Sequence, residues 1–383
     1  MIFLIVAVFY GVLPITGSVY VRYRWRQFRK RFIDLGMSPM LDYRNYRQLS
    51  DEGGIFRFTG EIESITDGQT LWVRGDDLTI PVSLESTKCF LLPKSDGDEM
   101  PEPPEQIRWN RVSTLTEGVK VFIGGIIKPE NNRLIFNSTK ENPLIVIFYN
   151  CHDSELTNQI IFSARIRNEY WNSFTPVALG IGALSLVYIA ASLLDRPAFR
   201  MNVISALVAV FIPILPFIPP GLLFINFYRR LRWYSRKYKA YWDIIRIPLQ
   251  YLEPDQESTL LSTGEKFGFI KIDSLPPAAL NGDIPFLIPQ TIKEGKAQQW
   301  YFFGILPPDK NPTVENQAED SLPVKSRDPF VCYGILPAKP QSLIRCFITK
   351  AYSFEALAWS LLTLVIVFNG IFIGLILSLL INI

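Results

Sequence analysis

The chain has 383 residues, room for two or three domains, and 48% of them are hydrophobic, with a positive mean hydropathy that a soluble globular chain does not usually reach. The net charge is only +3 and there is one histidine, so neither a His-rich metal site nor a Ser-His-Asp triad is expected. Four scattered cysteines, Cys89, Cys151, Cys332 and Cys346, form no CxxC pair; they exclude a disulfide framework or a zinc finger and fit a reducing compartment.

Ile2–Val21 is the first apolar run of the ~20 residues that a membrane helix needs. Its charges follow it, at Arg22, Arg24, Arg26, Arg29, Lys30 and Arg31. That order reads as a retained anchor with an outer N-terminus, not as a cleaved signal. Tyr23, Trp25 and Phe28 interleave with the charges. Arg24, Trp25, Arg29 and Lys30 are therefore expected to anchor the helix at the headgroup layer.

From Asp51 to Asn150 acidic residues outnumber basic ones and the pattern turns to β. Phe56–Ile65 alternates, and Asp67-Gly68 makes a turn. Leu71–Arg74 follows, then a turn at Gly75-Asp76-Asp77, then Leu78–Leu84. The Pro-rich, acidic Lys94–Glu105 is a loop. Val119–Ile127 and Arg133–Asn137 form a hairpin around Pro129–Asn132.

Three further apolar runs follow: Phe174–Leu194, Asn202–Tyr228 and Phe354–Ile381. Apart from Glu355 at an edge, none carries an Asp, Glu, Lys, Arg or His in its interior, so no charged path for an ion or proton is expected. Arg165 and Arg167 precede the second run, and Arg345 and Lys350 precede the fourth. After the third come Arg229, Arg230, Arg232, Arg236, Lys237 and Lys239. There Arg232, Trp233, Arg236 and Lys237 are expected to act as a second set of interface anchors. The loop between the second and third runs holds only Arg196 and Arg200. The Lys/Arg bias then puts both chain ends outside and both soluble modules in the cytoplasm. Residues 1–50 read as the first membrane helix with its basic stretch, 51–150 as a β module, and 151–200 as a linker and second helix. Residues 201–250 form the third helix with its basic stretch, 251–350 a second, mildly acidic and divergent β module, and 351–383 the fourth helix.

The halves echo each other. Val6-Ala7-Val8-Phe9, Leu13-Pro14 and Gly17 match Val208-Ala209-Val210-Phe211, Leu215-Pro216 and Gly221. Arg24-Trp25 and Arg29-Lys30 match Arg232-Trp233 and Arg236-Lys237. Glu117-Gly118 with Val121–Pro129 matches Glu294-Gly295 with Trp300–Pro308. Asn142–Val146 matches Asp328–Cys332. A parallel duplication is expected, with a pseudo-twofold axis along the membrane normal. Pro14 and Pro216 should bend their helices, and those helices should be neighbours.

The first module resembles an OB fold, a five-stranded Greek-key barrel, on Gly60-Glu61-Ile62, the hairpin around Gly75 and the stretch Glu117–Ile127. A β domain anchored between membrane helices is similar to NfeD proteins and to GIDE-type ligases. The chain shows neither the Cys/His cluster of a RING nor a protease domain, so the resemblance implies an architecture and not those activities.

The residues point to binding and not to catalysis. No phosphate loop, nucleophile elbow or dinucleotide fingerprint is present. His152 reads as a surface residue, Asp76 and Asp77 as a polar hairpin tip, and Gly180 and Gly182 as helix-packing positions. Phe58, Trp72 and Phe122 read as core; an acidic module gives nucleic acid no phosphate-neutralising surface. The expected protein is an α+β membrane protein, integral to the plasma or inner membrane, with four transmembrane helices and two small OB-like modules. It is expected to be a non-enzymatic scaffold without a cofactor. Its expected partners are membrane lipid and other membrane proteins or a second copy, and no nucleic acid. The alternative is a subunit of a membrane enzyme or transport complex, or a lipid-handling protein.

Overall fold

The computed structural model describes residues 1–48, 53–66, 69–85, 87–93, 104–108, 112, 115, 118–130, 133–166, 172–214, 221–252, 257–260, 264–288, 299–307 and 322–381. The helices are α1 (Ile2–Gly36), α2 (Tyr43–Gln48), α3 (Asp153–Ile166), α4 (Phe174–Leu193), α5 (Arg200–Val210), α6 (Gly221–Tyr251), α7 (Pro277–Leu280) and α8 (Pro340–Ile381). The chain divides into a helical unit and a β-rich unit. The helical unit is Met1–Gln27, Arg167–Tyr238 and Thr349–Ile383; the β-rich unit is Phe28–Ile166 and Lys239–Ile348.

Among the described residues three helices, α1, α4 and α8, are long and apolar enough to cross a membrane. The third apolar run differs from the single helix expected. It is split into α5, a turn over 211–214 and the start of α6. Pro213 falls in that turn, and proline lacks the N–H that would continue the helical ladder. Pro216, Pro219 and Pro220 lie outside the described residues, and so does the bend expected at Pro216. In α1 the turn before Pro14 widens: Val6–Val12 is π-helical, and the Leu13 N–H donates to the Val8 carbonyl, five residues back. A proline ring crowds the carbonyl four residues before it, here that of Tyr10, and one wide turn relieves this.

Within the helical unit α1 and α4 run antiparallel. A Cβ on Gly17 would stand 2.9 Å from Asn172 Oδ1, and one on Gly182 would stand 2.7 Å from Tyr10 Cε1. Gly182 thus serves the close packing expected of it, whereas Gly180 faces open space. Ile2 packs with Ala190, Leu193, Val203 and Ala206, which makes α5 a neighbour of α1. Helices α6 and α8 are paired by stacking of Phe224 on Phe368 and of Tyr234 and Tyr238 on Phe354. Arg22 reaches Glu355 at 3.9 Å, at the same level.

The β-rich unit holds strands β1 (Gly54–Thr66), β2 (Thr70–Arg74), β3 (Thr79–Ser83), β4 (Lys88–Leu91), β5 (Glu105–Ile107), β6 (Lys120–Glu130), β7 (Arg133–Asn137) and β8 (Ile145–Tyr149). The first half of β1 pairs antiparallel with β6 and the second half with β2. Between them the register shifts at Ile62–Ser64, a bulge that bends the strand. β2 pairs with β3, β3 runs parallel to β7, and β7 returns to β6. These five strands close a barrel around Leu71, Val73, Ile80, Val82, Val121, Ile123, Ile127 and Phe136, all fully buried. The five-stranded barrel expected from alternation and turn spacing is present. It carries an addition the sequence did not announce: β8 pairs with the free side of β6, and β4 and β5 follow it outward.

The second module, read as a divergent copy of the first or a different small β fold, shows an open sheet among the described residues. Strands β9 (Glu257–Thr259), β10 (Lys266–Ile272), β11 (Trp300–Ile305) and β12 (Gly334–Leu336) form one antiparallel sheet in the order β12-β11-β10-β9. Among the described residues nothing joins β9 to β12, and strands of three residues are too short to bend round and close. Its core is Ala279, Ile284, Trp300, Phe302 and Ile335. In both modules a central strand (β6, β11) lies between one that precedes it (β1, β10) and one that follows it (β8, β12) in chain order.

Candidate functional site on the barrel wall

Two glycines shape the outer face of β1. A Cβ on Gly60 would stand 2.3 Å from the Arg74 carbonyl oxygen, and one on Gly75 would stand 2.7 Å from Phe58 Cζ. The β2–β3 turn can therefore fold tightly over β1 only with glycine at both places, which agrees with their marking out the barrel in the sequence.

Between these glycine contacts and the second module sits an ion pair. Arg57 and Asp328 bond to each other, and each side chain is 2% exposed. Arg57 also donates through Nε to the Ser38 carbonyl at 2.7 Å, and its guanidinium lies 4.8 Å from the centre of the Phe330 ring. Its backbone brackets the segment before it: Arg57 N–H donates to the Pro39 carbonyl, and Leu41 N–H to the Arg57 carbonyl. Asp328 accepts from the Phe330 N–H at 3.0 Å. Ser326 Oγ donates to Glu265 Oε2 at 2.9 Å and accepts from the Asp328 N–H. Phe330 packs on Phe122, which packs on Phe32 of α1. The segment matched in sequence to Asn142–Val146 thus clasps the barrel wall.

Above this pair opens a cleft of about 1100 Å³. Its walls are Met40–Arg44, Phe58–Glu61, the β2–β3 turn and Lys325–Pro329. Twelve of its 23 lining residues are charged: seven acids, among them Glu61, Asp76 and Asp77, and five bases, Arg44, Arg74, Lys120, Lys325 and Arg327. Lys120 pairs with Asp153 at 3.0 Å, and the Tyr149 hydroxyl donates to the same carboxylate at 3.2 Å. Burial, and then the negative Asp153, push the Tyr149 hydroxyl far above the ordinary phenol range, so it stays a donor. Close by, burial and the carboxylates of Glu155 and Asp153 push the Cys151 thiol up to about 11, the opposite of an activated nucleophile.

Asp76 and Asp77, read from sequence as a polar hairpin tip, stand on the cleft rim. His152 is exposed, and its carbonyl accepts from the Glu155 N–H. Phe58 and Phe122 are buried as core, while Trp72 is half-buried with Arg133 6.0 Å from its ring centre. Among the described residues no group of three His, Cys, Asp or Glu could hold a metal. No protein-family model matches the chain, and no curated protein does.

The expected anchors are placed unevenly. Arg24 and Lys30 are exposed, Trp25 and Arg232 are buried, and Trp233, Arg236 and Lys237 are half-buried. Arg29 is mostly buried in the β-rich unit. It stands 3.8 Å from Asp243, which also takes a bidentate pair from Arg165 at 2.7 and 2.8 Å. The residues that sequence reading missed are Arg57 and Asp328. A signal was available: a charged residue between two phenylalanines in a buried strand needs a partner, and Asp328 opens a matched segment.

Proposed function

We propose that the chain is a non-enzymatic multi-pass membrane scaffold whose barrel cleft takes a polypeptide partner at the cytoplasmic face. The observation that carries this is the cleft. Small-molecule sites are mostly apolar and of ~300–1,000 Å³. This one is larger, and more than half of its lining residues are charged, with both signs interspersed. Such a wall suits an extended polar segment, whose charges give orientation and association rate. The test is a photo-crosslinking residue in place of Asp77, with one in place of the exposed Lys140 as control. We expect a defined adduct in cells from position 77 that Lys325→Glu/Arg327→Glu abolishes. The same adducts from both positions, or none from position 77, would refute the reading.

The membrane part of the reading has four crossings. In it α5 and the first turns of α6 make one broken crossing between Arg200 and Arg229. The packing of Ile2 on Val203 and the stack of Phe224 on Phe368 support this. Neighbouring helices would satisfy the carbonyls freed at the break. The reading includes a parallel duplication, supported by the shared order of β1, β6, β8 and of β10, β11, β12. The resemblance to NfeD and GIDE-type proteins extends it by architecture alone.

A further inference from the structure

We propose that the segment filling the barrel cleft is dipolar: its Asp or Glu side chains meet Arg44, Lys325 and Arg327, and its Lys or Arg side chains meet Asp76 and Asp77. This rests on the reading of the cleft as a polypeptide site and adds the order of charges that the partner carries. The twelve charged residues of the lining fall into an engaged set and a remainder. On β1 and its neighbours, register places Glu61 opposite both Arg74 and Lys120, and Lys120 pairs with Asp153. Two bases and two acids balance there. Three more acids are taken up by their own chain. Asp42 accepts from the Asn45 N–H at 2.7 Å, Glu265 from the Ser326 hydroxyl and Asp328 from Arg57.

The remainder is Arg44, Lys325 and Arg327 with Asp76 and Asp77, all five exposed. Among the described residues none of the five forms an ion pair, so the two signs face one cleft without closing on each other. The backbone holds them on different walls. Arg57 ties both basic segments to β1. Its Nε donates to the Ser38 carbonyl, just before Met40–Arg44, and its guanidinium bonds Asp328, next to Arg327. Ser326 and Asp328 are buried, whereas Lys325 and Arg327 are exposed. The acids stand on the β2–β3 turn, which Gly75 lets close over Phe58 and Thr59. An occupant of one sign is repelled by one wall, and a free anion answers to one wall only. A dipolar segment complements both.

The test uses the full chain in cells, with a photo-crosslinking residue in place of the exposed Tyr43, beside Arg44 on the cleft wall, or in place of Asp77. The peptide joined to each position is sequenced by mass spectrometry. Both positions should capture one segment, joined near an Asp or Glu at position 43 and near a Lys or Arg at position 77. Lys325→Glu/Arg327→Glu should cut the adduct from position 43 by about tenfold or more, because like charges then face each other. Reversing the segment's acids to lysine in that background should restore the adduct, which a folding defect would not allow. Capture from position 77 alone, two unrelated segments, a segment of one sign or of the opposite order, or no restoration would overturn the polarity and leave the polypeptide reading standing. No adduct from either position would sink the polypeptide reading, and the polarity with it.

Discussion

Arg57 and Asp328 are 271 positions apart, and no local pattern links them. Gly60 and Gly75 were legible because a tight turn demands a glycine where it stands; that Arg57, between two phenylalanines, needs a partner is legible too, but which acid meets it shows only when the fold brings the two together. Burying both charges is offset by the pair itself, by the Ser38 carbonyl and by the Phe330 N–H. Removing one partner strands the other in a site where each side chain is 2% exposed. Asp328→Ala should therefore destabilise the protein by about 3–5 kcal/mol. Arg57→Met/Asp328→Leu, which removes both charges and keeps apolar volume, should be much milder. Thermal unfolding of the full-length protein in detergent, analysed as a double-mutant cycle, measures both. An Asp328→Ala protein as stable as the parent would show that the pair contributes nothing.

At the scale of elements the barrel was largely legible. Strands β1, β2, β3, β6 and β7 fall within two or three residues of the segments read from alternation and turns. Their periodicity is strong because one face is core. Strand β8 is buried on every residue and so has no alternation, and β4 and β5 are too short to show any. In the third apolar run composition shows one apolar stretch, whereas the turn at 211–214, which holds Pro213, divides α5 from α6. Helix junctions were not legible either. The basic stretch that follows the apolar part of α1 was read as headgroup anchoring, and its Arg29 stands beside Asp243, which lies on α6 and binds Arg165 of α3. Ile161, Ala240, Ile244 and Ile247 pack beside this tie. Asp243→Asn keeps the shape and removes the charge that holds two guanidinium groups. The loss should be about 1.5–3 kcal/mol, the worth of hydrogen bonds to a charged group. It should show as a lowered melting temperature and as faster hydrogen exchange in α3. Unchanged exchange in α3 would mean that the apolar contacts hold the helices without the tie.

Charge divides the whole molecule more sharply than its net value suggests. The helical unit holds twelve of the 39 Lys and Arg residues but only three of the 36 Asp and Glu residues. Nine of those twelve lie at one end, from Arg22 to Arg26, from Arg229 to Lys237 and at Lys350, whereas the turn between α4 and α5 has Asp195, Arg196 and Arg200. Cytoplasmic loops retain Lys and Arg, so the crowded end should face the cytoplasm and the Asp195 turn should face outward. The choice of reporter decides whether this can be measured. Cys89 is fully buried, and burial pushes its thiol up to about 12, so it would stay silent on either side of a membrane. Burial likewise pushes Cys332 up to about 12. Cys346 is exposed beside the start of the last apolar run and is the natural cytoplasmic probe. Asp195 is exposed in the opposite turn, and Asp195→Cys supplies the outer one. With an impermeant maleimide at pH 7.5 on sealed cells, the introduced cysteine should label and Cys346 should not. After permeabilisation both should label, and Cys89 should join them only in denaturant. Labelling of Cys346 in sealed cells, with position 195 protected, would invert the molecule and move the barrel cleft to the outer side.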